Sequence, residues 1–415
     1  MNRSDQAASA KRCRKEQEIM PKHAVLMMVQ LPPPAHGAAI TNQRLASSRR
    51  IRDEFDLNVL PVQLARSIDD TNRFALSKII RLSGHVVRLL FALVFRPPGV
   101  VLYTLPSTGY AYLGGIVLLG VVKGLGFPHI LQMRCRGIRR TAERSALHRA
   151  LCRWAFSKAW VILLSPRVFD DVSEFVRDEQ VYYLPDALPD PCREIRLPDR
   201  PARRIPHILF LSHLFETKGP LVLLSALEIL KRRGVPFRAT FVGEPGDIAL
   251  QVFRERIDAL GLSEEVRYAG PAYGARKAEF MLDADIFAFP TFYPQEVFPG
   301  VLLEAMAYSL PLVTTGEAAI PEIVDEGSSG YMVAARDAGA LADALEKLAR
   351  NPDLRQRLGR AARARFLARF QFDRCESCLA EILRDVLLRA ATAPVERTTL
   401  NQAGGISITR HKADT

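Results

Sequence analysis

Two glutamates, Glu296 and Glu304, stand eight residues apart across Phe298-Pro299-Gly300 in the stretch EVFPGVLLE. Proline at the first position of a helix loses nothing, because that N–H has no intrahelical partner. The pattern predicts a helix opening near Pro299. Glu296 then lies just before its N-terminus, and Glu304 some 7–8 Å further in at about 1.5 Å per residue. A helix N-terminus carries about half a positive charge and unpaired N–H groups, so it attracts phosphate. Gly300 leaves room for a bulky group to approach the backbone. Two carboxylates beside a phosphate repel it, but they can accept hydrogen bonds from hydroxyls on either side. Ribose hydroxyls, a diphosphate and then sugar hydroxyls have that layout. A capping carboxylate followed by a helix-surface glutamate would look the same, and spacing alone leaves both readings open.

The elements that must position these residues follow a repeating pattern. HAVLMMVQL (23–31) is a continuous apolar run, as in a parallel strand covered on both faces. PPPAHG follows, with Gly37 able to take a tight turn, and a helix is predicted from about Ala38 toward Arg50. LNVLPVQ, GVVLYTLP, HILQMR and WVILLSP read as further strands, and QVYYLPDALPD ends the half. The segment 74–95 has helical periodicity with Lys78, Arg81 and Arg88 beside a broad apolar face. That suits a core helix, and it also suits one resting on a membrane. The window Tyr110–Leu131, broken by five glycines, Lys123 and a proline, reads as a buried or membrane-touching helix followed by a strand, not a span. After the Pro- and Arg-rich stretch 190–207 the pattern restarts with strands HILFLSH, FRATFVG, VRYAG and DIFAFPT. Strands alternating with helices in two halves predict an α/β protein with mostly parallel sheets.

Composition narrows the partners. Formal charge is +12, and the surplus lies in residues 1–200, which hold 30 Lys/Arg against 18 Asp/Glu; the remainder holds 27 of each. Such asymmetry points to an anionic partner for the first half, such as an anionic membrane surface or a phosphorylated lipid, or to a merely solvated Arg-rich surface. No basic repeat interleaved with aromatics argues for nucleic acid. The six cysteines are scattered, which suits a reducing compartment, and Cys375-x-x-Cys378 lacks a second pair for a metal. The first twenty residues lack the apolar core of a secretory signal. Asp283-Ala-Asp285 has the form of a metal-binding D-x-D, but its place before a strand suits turn and cap hydrogen bonds better.

Glu296-x7-Glu304 followed by AMAYSLPLVTTGEAAIPEIVDEGSSGYMV resembles the signature of the family 4 retaining glycosyltransferases, the glycosyl transferases group 1. FLSHLFETKGP, YAGPAYG, ADIFAFPTFYPQEVFP and the PPPAHG turn are similar to the same family. The resemblance covers most of 23–390, strongly over 207–335 and weakly over 40–180. It implies the GT-B fold: two Rossmann-like parallel-sheet domains facing a cleft, with the last helix crossing back to the N-terminal domain. The expected division is a disordered basic N-terminus (1–20), an acceptor domain (21–198), a nucleotide-sugar domain (199–370), a C-terminal helix (371–390) and a disordered tail (391–415).

The roles the resemblance implies are as follows. Glu304 holds the ribose hydroxyls and Glu296 the transferred sugar. Lys218 neutralises the diphosphate, a task for a compact cation on a flexible stem. The backbone at Phe298, Pro299, Gly300 and Val301 cradles the phosphate, Gly37 lets the first loop close over it, and Gly270 and Tyr273 frame the base. No metal or other cofactor is required. The implied reaction moves a sugar, with retention, from a nucleotide-diphosphate sugar to a saccharide or lipid-linked acceptor, as in cell-surface polysaccharide or glycolipid synthesis. The implied location is the cytoplasm or the inner face of the membrane.

The chain departs from the family pattern twice. An arginine usual a few residues before the lysine is replaced near Ser212 and His213, and a histidine is cationic only toward acid pH. A histidine usual on the strand written ILQMRCRG is absent; Arg134 there could meet a phosphate or acceptor but not do acid–base work. These departures keep two alternatives open, a non-catalytic nucleotide-sugar-binding homologue and a GT-B epimerase or phosphorylase.

Overall fold

The computed structural model describes residues 22–33, 37–63, 76–195, 197 and 203–392, together with a short strand pair near the C-terminus. Its first half runs β1 (Ala24–Val29), α1 (Gly37–Ala46), α2 (Arg49–Glu54), β2 (Asp56–Pro61), α3 (Leu76–Phe95), β3 (Val100–Thr104), α4 (Gly109–Gly124), β4 (His129–Met133), α5 (Ile138–Ala142), α6 (Ala146–Phe156), β5 (Trp160–Leu163) and β6 (Val181–Tyr183). Its second half runs β7 (His207–Leu211), α7 (Pro220–Arg232), β8 (Arg238–Val242), α8 (Leu250–Ala259), β9 (Val266–Tyr268), α9 (Gly274–Asp283), β10 (Ile286–Phe289), α10 (Gly300–Ala307), β11 (Leu312–Thr315), α11 (Ile320–Ile323), β12 (Gly330–Val333), α12 (Ala338–Ala349), α13 (Pro352–Arg369) and α14 (Phe372–Thr392).

Each half builds one six-stranded, all-parallel sheet, in the orders β2-β1-β3-β4-β5-β6 and β12-β11-β10-β7-β8-β9. Helices cover both faces, so the strands are buried runs, with Val25 to Val29 and Val100 to Tyr103 at 0–1% exposure. The order reverses beside β1 in the first sheet and between β7 and β10 in the second. In open α/β sheets ligands bind outside the carboxyl ends of the strands at such reversals.

Helix α14 leaves the second half and packs its Leu379, Leu383 and Val386 with Val25, Met27 and Val100 of the first sheet. Backbone bonds from Leu188 to Phe370 and from Phe372 to Leu188, both 3.1 Å, tie the crossing to the end of the first half. Arg363 clamps Asp190 with two bonds of 2.6 Å and so anchors the start of the Pro- and Arg-rich stretch 190–207.

Several expectations are corrected. The helix expected over 38–50 is two helices, because Ser48 caps α2 by accepting from the Ile51 N–H at 3.1 Å. Gly37 is the first residue of α1 and not a turn residue. Pro299 is the N-cap of α10, so the helix opens at Gly300, one residue later than expected. The segment after β11, expected as loop, contains α11 and the edge strand β12, which pairs with β11. Asp283 and Asp285 do not cap; they bind Arg203, Arg238 and His207 at the amino end of β10. Helix α3 is not a core helix: Leu89 and Leu93 are buried, while Ile80, Val87, Phe91, Val94 and Phe95 are each 62–68% exposed.

Residues 1–20 lie outside the described residues. So does most of 391–415, but α14 extends to Thr392, and Thr399–Leu400 (β13) pairs antiparallel with Ile406–Ser407 (β14). Among the described residues no helix is long and apolar enough to cross a membrane.

Candidate active site

A cavity of about 420 Å³ opens between the two sheets. From the second sheet it is lined by Lys218, which follows β7, and by Glu296 to Val301 and Glu304, which follow β10. These are the two strands between which the strand order reverses. From the first half it is lined by Gly37, Ile40, Thr41 and Arg44 of α1, by Arg134 and Cys135 after β4, and by Asp186. The N-termini of α1 and α10 thus lie on opposite walls of one cavity. Each carries partial positive charge and free N–H groups.

Local sequence explains how Lys218 gets there. A short 3-10 turn, Glu216–Lys218, ends at Gly219 with φ 84°, and Pro220 opens α7. A Cβ on Gly219 would stand 2.1 Å from the Pro290 carbonyl oxygen, so only glycine lets the two loops touch. The Phe292 N–H donates to the Thr217 carbonyl at 2.7 Å and completes the join. The loop after β7 is thereby locked to the loop that carries Glu296. The Lys218 ammonium sits 4.3 Å from the Tyr293 ring centroid and donates to the Glu296 carboxylate. Both side chains are largely covered, 17% and 13% exposed.

Glu304 is held differently. Lys277 of α9 donates to it at 2.7 Å. Arg44 faces it across the cleft; burial pushes the Arg44 guanidinium down, and the Glu304 and Asp186 carboxylates act the other way. Arg134 is buried and ion-paired with Asp186. Its charge is therefore already met by a carboxylate, which weakens the expectation that it holds a phosphate. Phe298 packs edge-on to Phe370, 5.8 Å between centroids, so its side chain fixes the loop and leaves the backbone to face the cavity. No side chain would obstruct the space beside Gly37 or Gly300: a Cβ there meets nothing within 4 Å.

His213, Gly270 and Tyr273 do not line this cavity. They form a neighbouring cluster around Glu244. Tyr273 donates to Glu244 at 2.7 Å, His213 lies 3.8 Å from it, and the Gly243 N–H donates to the Gly270 carbonyl at 3.1 Å. The hydrogen bond from Tyr273 to Glu244 raises the phenol pKa, with burial second. Gly243, at φ 153°, is another forced glycine, since a Cβ there would meet the Ser212 carbonyl at 1.9 Å.

Sequence reasoning missed Arg44, Asp186 and Lys277. A signal existed for Arg44: Gly37, Ile40, Thr41 and Arg44 follow the i, i+3, i+4, i+7 spacing of one helix face. Asp186 and Lys277 carry no such signal, because their partners lie 52 and 27 residues away in the chain.

Residues 199–365 match the family model described as glycosyl transferases group 1. The chain is 32% identical over 194 residues to the D-inositol 3-phosphate glycosyltransferase of Corynebacterium urealyticum, covering 45% of each. It is 37% identical over 151 residues to the phosphatidyl-myo-inositol mannosyltransferase of Mycobacterium leprae, covering 36% of this chain and 39% of that one. The chain thus spans about half or less of the length of these curated relatives. In structure it is similar to the sucrose-phosphate synthase from Thermosynechococcus elongatus, with a TM-score of 0.68 at 16% identity, over 89% of this chain and 100% of that one.

Proposed function

We propose, from the match of residues 199–365 to the glycosyl transferases group 1 model and the GT-B-like fold, that the chain moves a sugar from a nucleotide-diphosphate sugar to a saccharide or lipid-linked acceptor, in cell-surface polysaccharide or glycolipid synthesis. The observation that carries this reading is the convergence of Lys218, Glu296, Glu304 and two opposed helix N-termini on one interdomain cavity. A diphosphate between those helix ends would meet Lys218. Glu304 would accept from ribose hydroxyls and Glu296 from sugar hydroxyls. The bond from the anomeric carbon to the diphosphate breaks as the acceptor oxygen bonds to that carbon, and the acceptor proton leaves with the diphosphate. With retention, the acceptor enters on the face the diphosphate leaves, which keeps a phosphate oxygen within reach of that proton. Lys218 and the helix dipoles stabilise the departing charge, and in this reading no metal is needed. The scattered cysteines of the sequence favour a reducing, cytoplasmic setting for this reaction.

Thermal unfolding against UDP-, GDP-, ADP- and dTDP-sugars, read with nucleotide release, tests the reading. One donor should raise the midpoint, and Glu304→Ala should abolish the rise. A ligand at 100 times its dissociation constant adds about 2.7 kcal/mol. Release of nucleotide with a saccharide or membrane-extract acceptor supports transfer. One observation favours a second reading, a nucleotide-sugar-binding homologue: no histidine is among the described residues lining the cavity. A midpoint shift with no release under any acceptor would decide for that homologue.

A further inference from the structure

The outer surface of the first half carries an apolar face that the catalytic reading does not use. On α3, Ile79, Ile80, Val87, Leu90, Phe91, Val94 and Phe95 are exposed. At 3.6 residues per turn they occupy one arc of about 160°, opposite buried Leu89 and Leu93. Arg81 and Arg88, seven residues apart, both fall along one edge of that arc. The neighbouring α4 packs against α3 and adds exposed Tyr110, Leu113 and Val117 at spacings of three and four. Exposed apolar side chains on this scale mark an interaction surface.

Charge decides what it faces. From Thr71 to Ala142 the chain has no Asp or Glu and ten Lys or Arg. A second copy docking face to face would set the same arginines against their own mates. An anionic surface would pair with them. The helix inserts only one face: its other side is fastened to the core by Leu89 and Leu93, and no described helix is long and apolar enough to cross a bilayer. That combination of a wide apolar face, flanking arginines and a fixed back is suited to lying in the plane of a lipid surface.

We propose that the α3–α4 face seats the chain on an anionic bilayer, with Ile80, Val87, Phe91 and Val94 in the headgroup–acyl boundary and Arg81 and Arg88 on lipid phosphates. The geometry also relates this face to the cavity. The His85 ring lies 3.3 Å from the Gln63 carbonyl, and the Gln63 amide donates to the carbonyls of Leu31 and Pro33 at 2.7 Å. Residues 31–33 belong to the segment joining β1 to Gly37 on the cavity wall. The middle of α3 is therefore tied through Gln63 to the loop after β1, which leads in sequence to Gly37. The lipid contact itself does not depend on any transferase activity.

The test is flotation of the full chain with vesicles of phosphatidylcholine alone and of phosphatidylcholine mixed with phosphatidylglycerol, without donor or acceptor. The expected result is binding to the mixed vesicles that falls with added salt. The double variant Ile80→Ser with Phe91→Ser should bind about tenfold or more weakly, and Arg81→Gln with Arg88→Gln roughly tenfold more weakly. Because Ile80 and Phe91 are exposed, thermal unfolding of the Ser double variant should be nearly unchanged. Phe91→Trp provides an independent readout in an otherwise intact surface: its emission should move to the blue only with the mixed vesicles. Absence of binding and of that shift overturns the proposal. So does concentration-dependent dimerisation abolished by the Ser double variant without vesicle binding, which would make the face a contact between copies. Failure of donor binding alone would overturn the transferase reading and leave this one standing.

Discussion

Lys218 donates its ammonium to Glu296 inside the cavity, so the two groups expected to hold the diphosphate and the sugar are bonded to each other. The pair spans 78 residues of sequence and joins the loops after β7 and β10. It keeps a largely covered lysine and a largely covered carboxylate mutually satisfied. In the proposed reading, a donor would exchange that contact for phosphate on one side and hydroxyls on the other.

Replacing the ammonium should separate catalysis from binding. Lys218→Met removes the cation that meets developing charge on the leaving diphosphate, and turnover should fall about 10²- to 10³-fold. Lys218→Arg should recover little, because a planar fork does not replace a point charge packed over the Tyr293 ring. Steady-state rates with saturating donor, set beside donor affinity by calorimetry, give the comparison. A loss confined to affinity would make Lys218 a binding group only.

Glu304 and Lys277 form a second pair, at the end proposed to hold the ribose. Glu304→Gln should weaken donor binding roughly tenfold to a hundredfold, the range for hydrogen bonds to a charged group. Lys277→Met should have a smaller effect, since this lysine lies outside the cavity lining and orients the carboxylate from behind. Titration calorimetry with the intact nucleotide sugar and with the free nucleotide should show equal losses in both, because the ribose is common to them.

Gly219→Ala tests the join between the two loops. The substitution puts a side chain at φ 84° and a Cβ 2.1 Å from the Pro290 carbonyl oxygen. It should destabilise the second half by about 2 kcal/mol or more. Chemical denaturation measures the loss. Gly300→Ala is the contrasting case: the space beside it is open, so stability should change little while donor binding suffers.

Acid sensitivity has an identified source in His129. Burial pushes its pKa down to about 4, a hydrogen bond to the Phe127 carbonyl acts against this, and its Nε2 is buried without a partner. A depressed folded pKa means the contribution is fully present above the unfolded value near 6.5 and is lost as pH falls through about 4. Over that window His129 should remove about 3 kcal/mol of stability. His129→Leu should flatten this part of the stability–pH curve in urea unfolding between pH 7 and 4.

Most of the elements were legible along the chain, since apolar runs such as VLMMV and HILFL can be satisfied only as covered parallel strands. Their order in the sheets was not. Nothing local says that β10 lies beside β7, yet that adjacency brings Lys218 to Glu296. The glutamate pair was legible too, because Pro299-Gly300 marks a helix start in a few residues. Misreadings occurred where local pattern is ambiguous. A broad apolar helix face reads as core whether it meets protein or not, and Ser47-Ser48 permits a continuous helix or a capped restart.

By itself, the sequence determined the α/β alternation, the two halves, the helix start between Glu296 and Glu304, and the basic excess of residues 1–200. These depend on residue type and on neighbours within a few positions, where periodicity, capping and turn chemistry act. Only the tertiary structure decided that Lys218 and Glu296 are paired, that Arg44 faces Glu304 across the cleft, that Asp186 takes the charge of Arg134, and that α3 turns Phe91 outward. Those are contacts between groups far apart in the chain, and they exist only once two sheets have been packed and α14 has strapped them together.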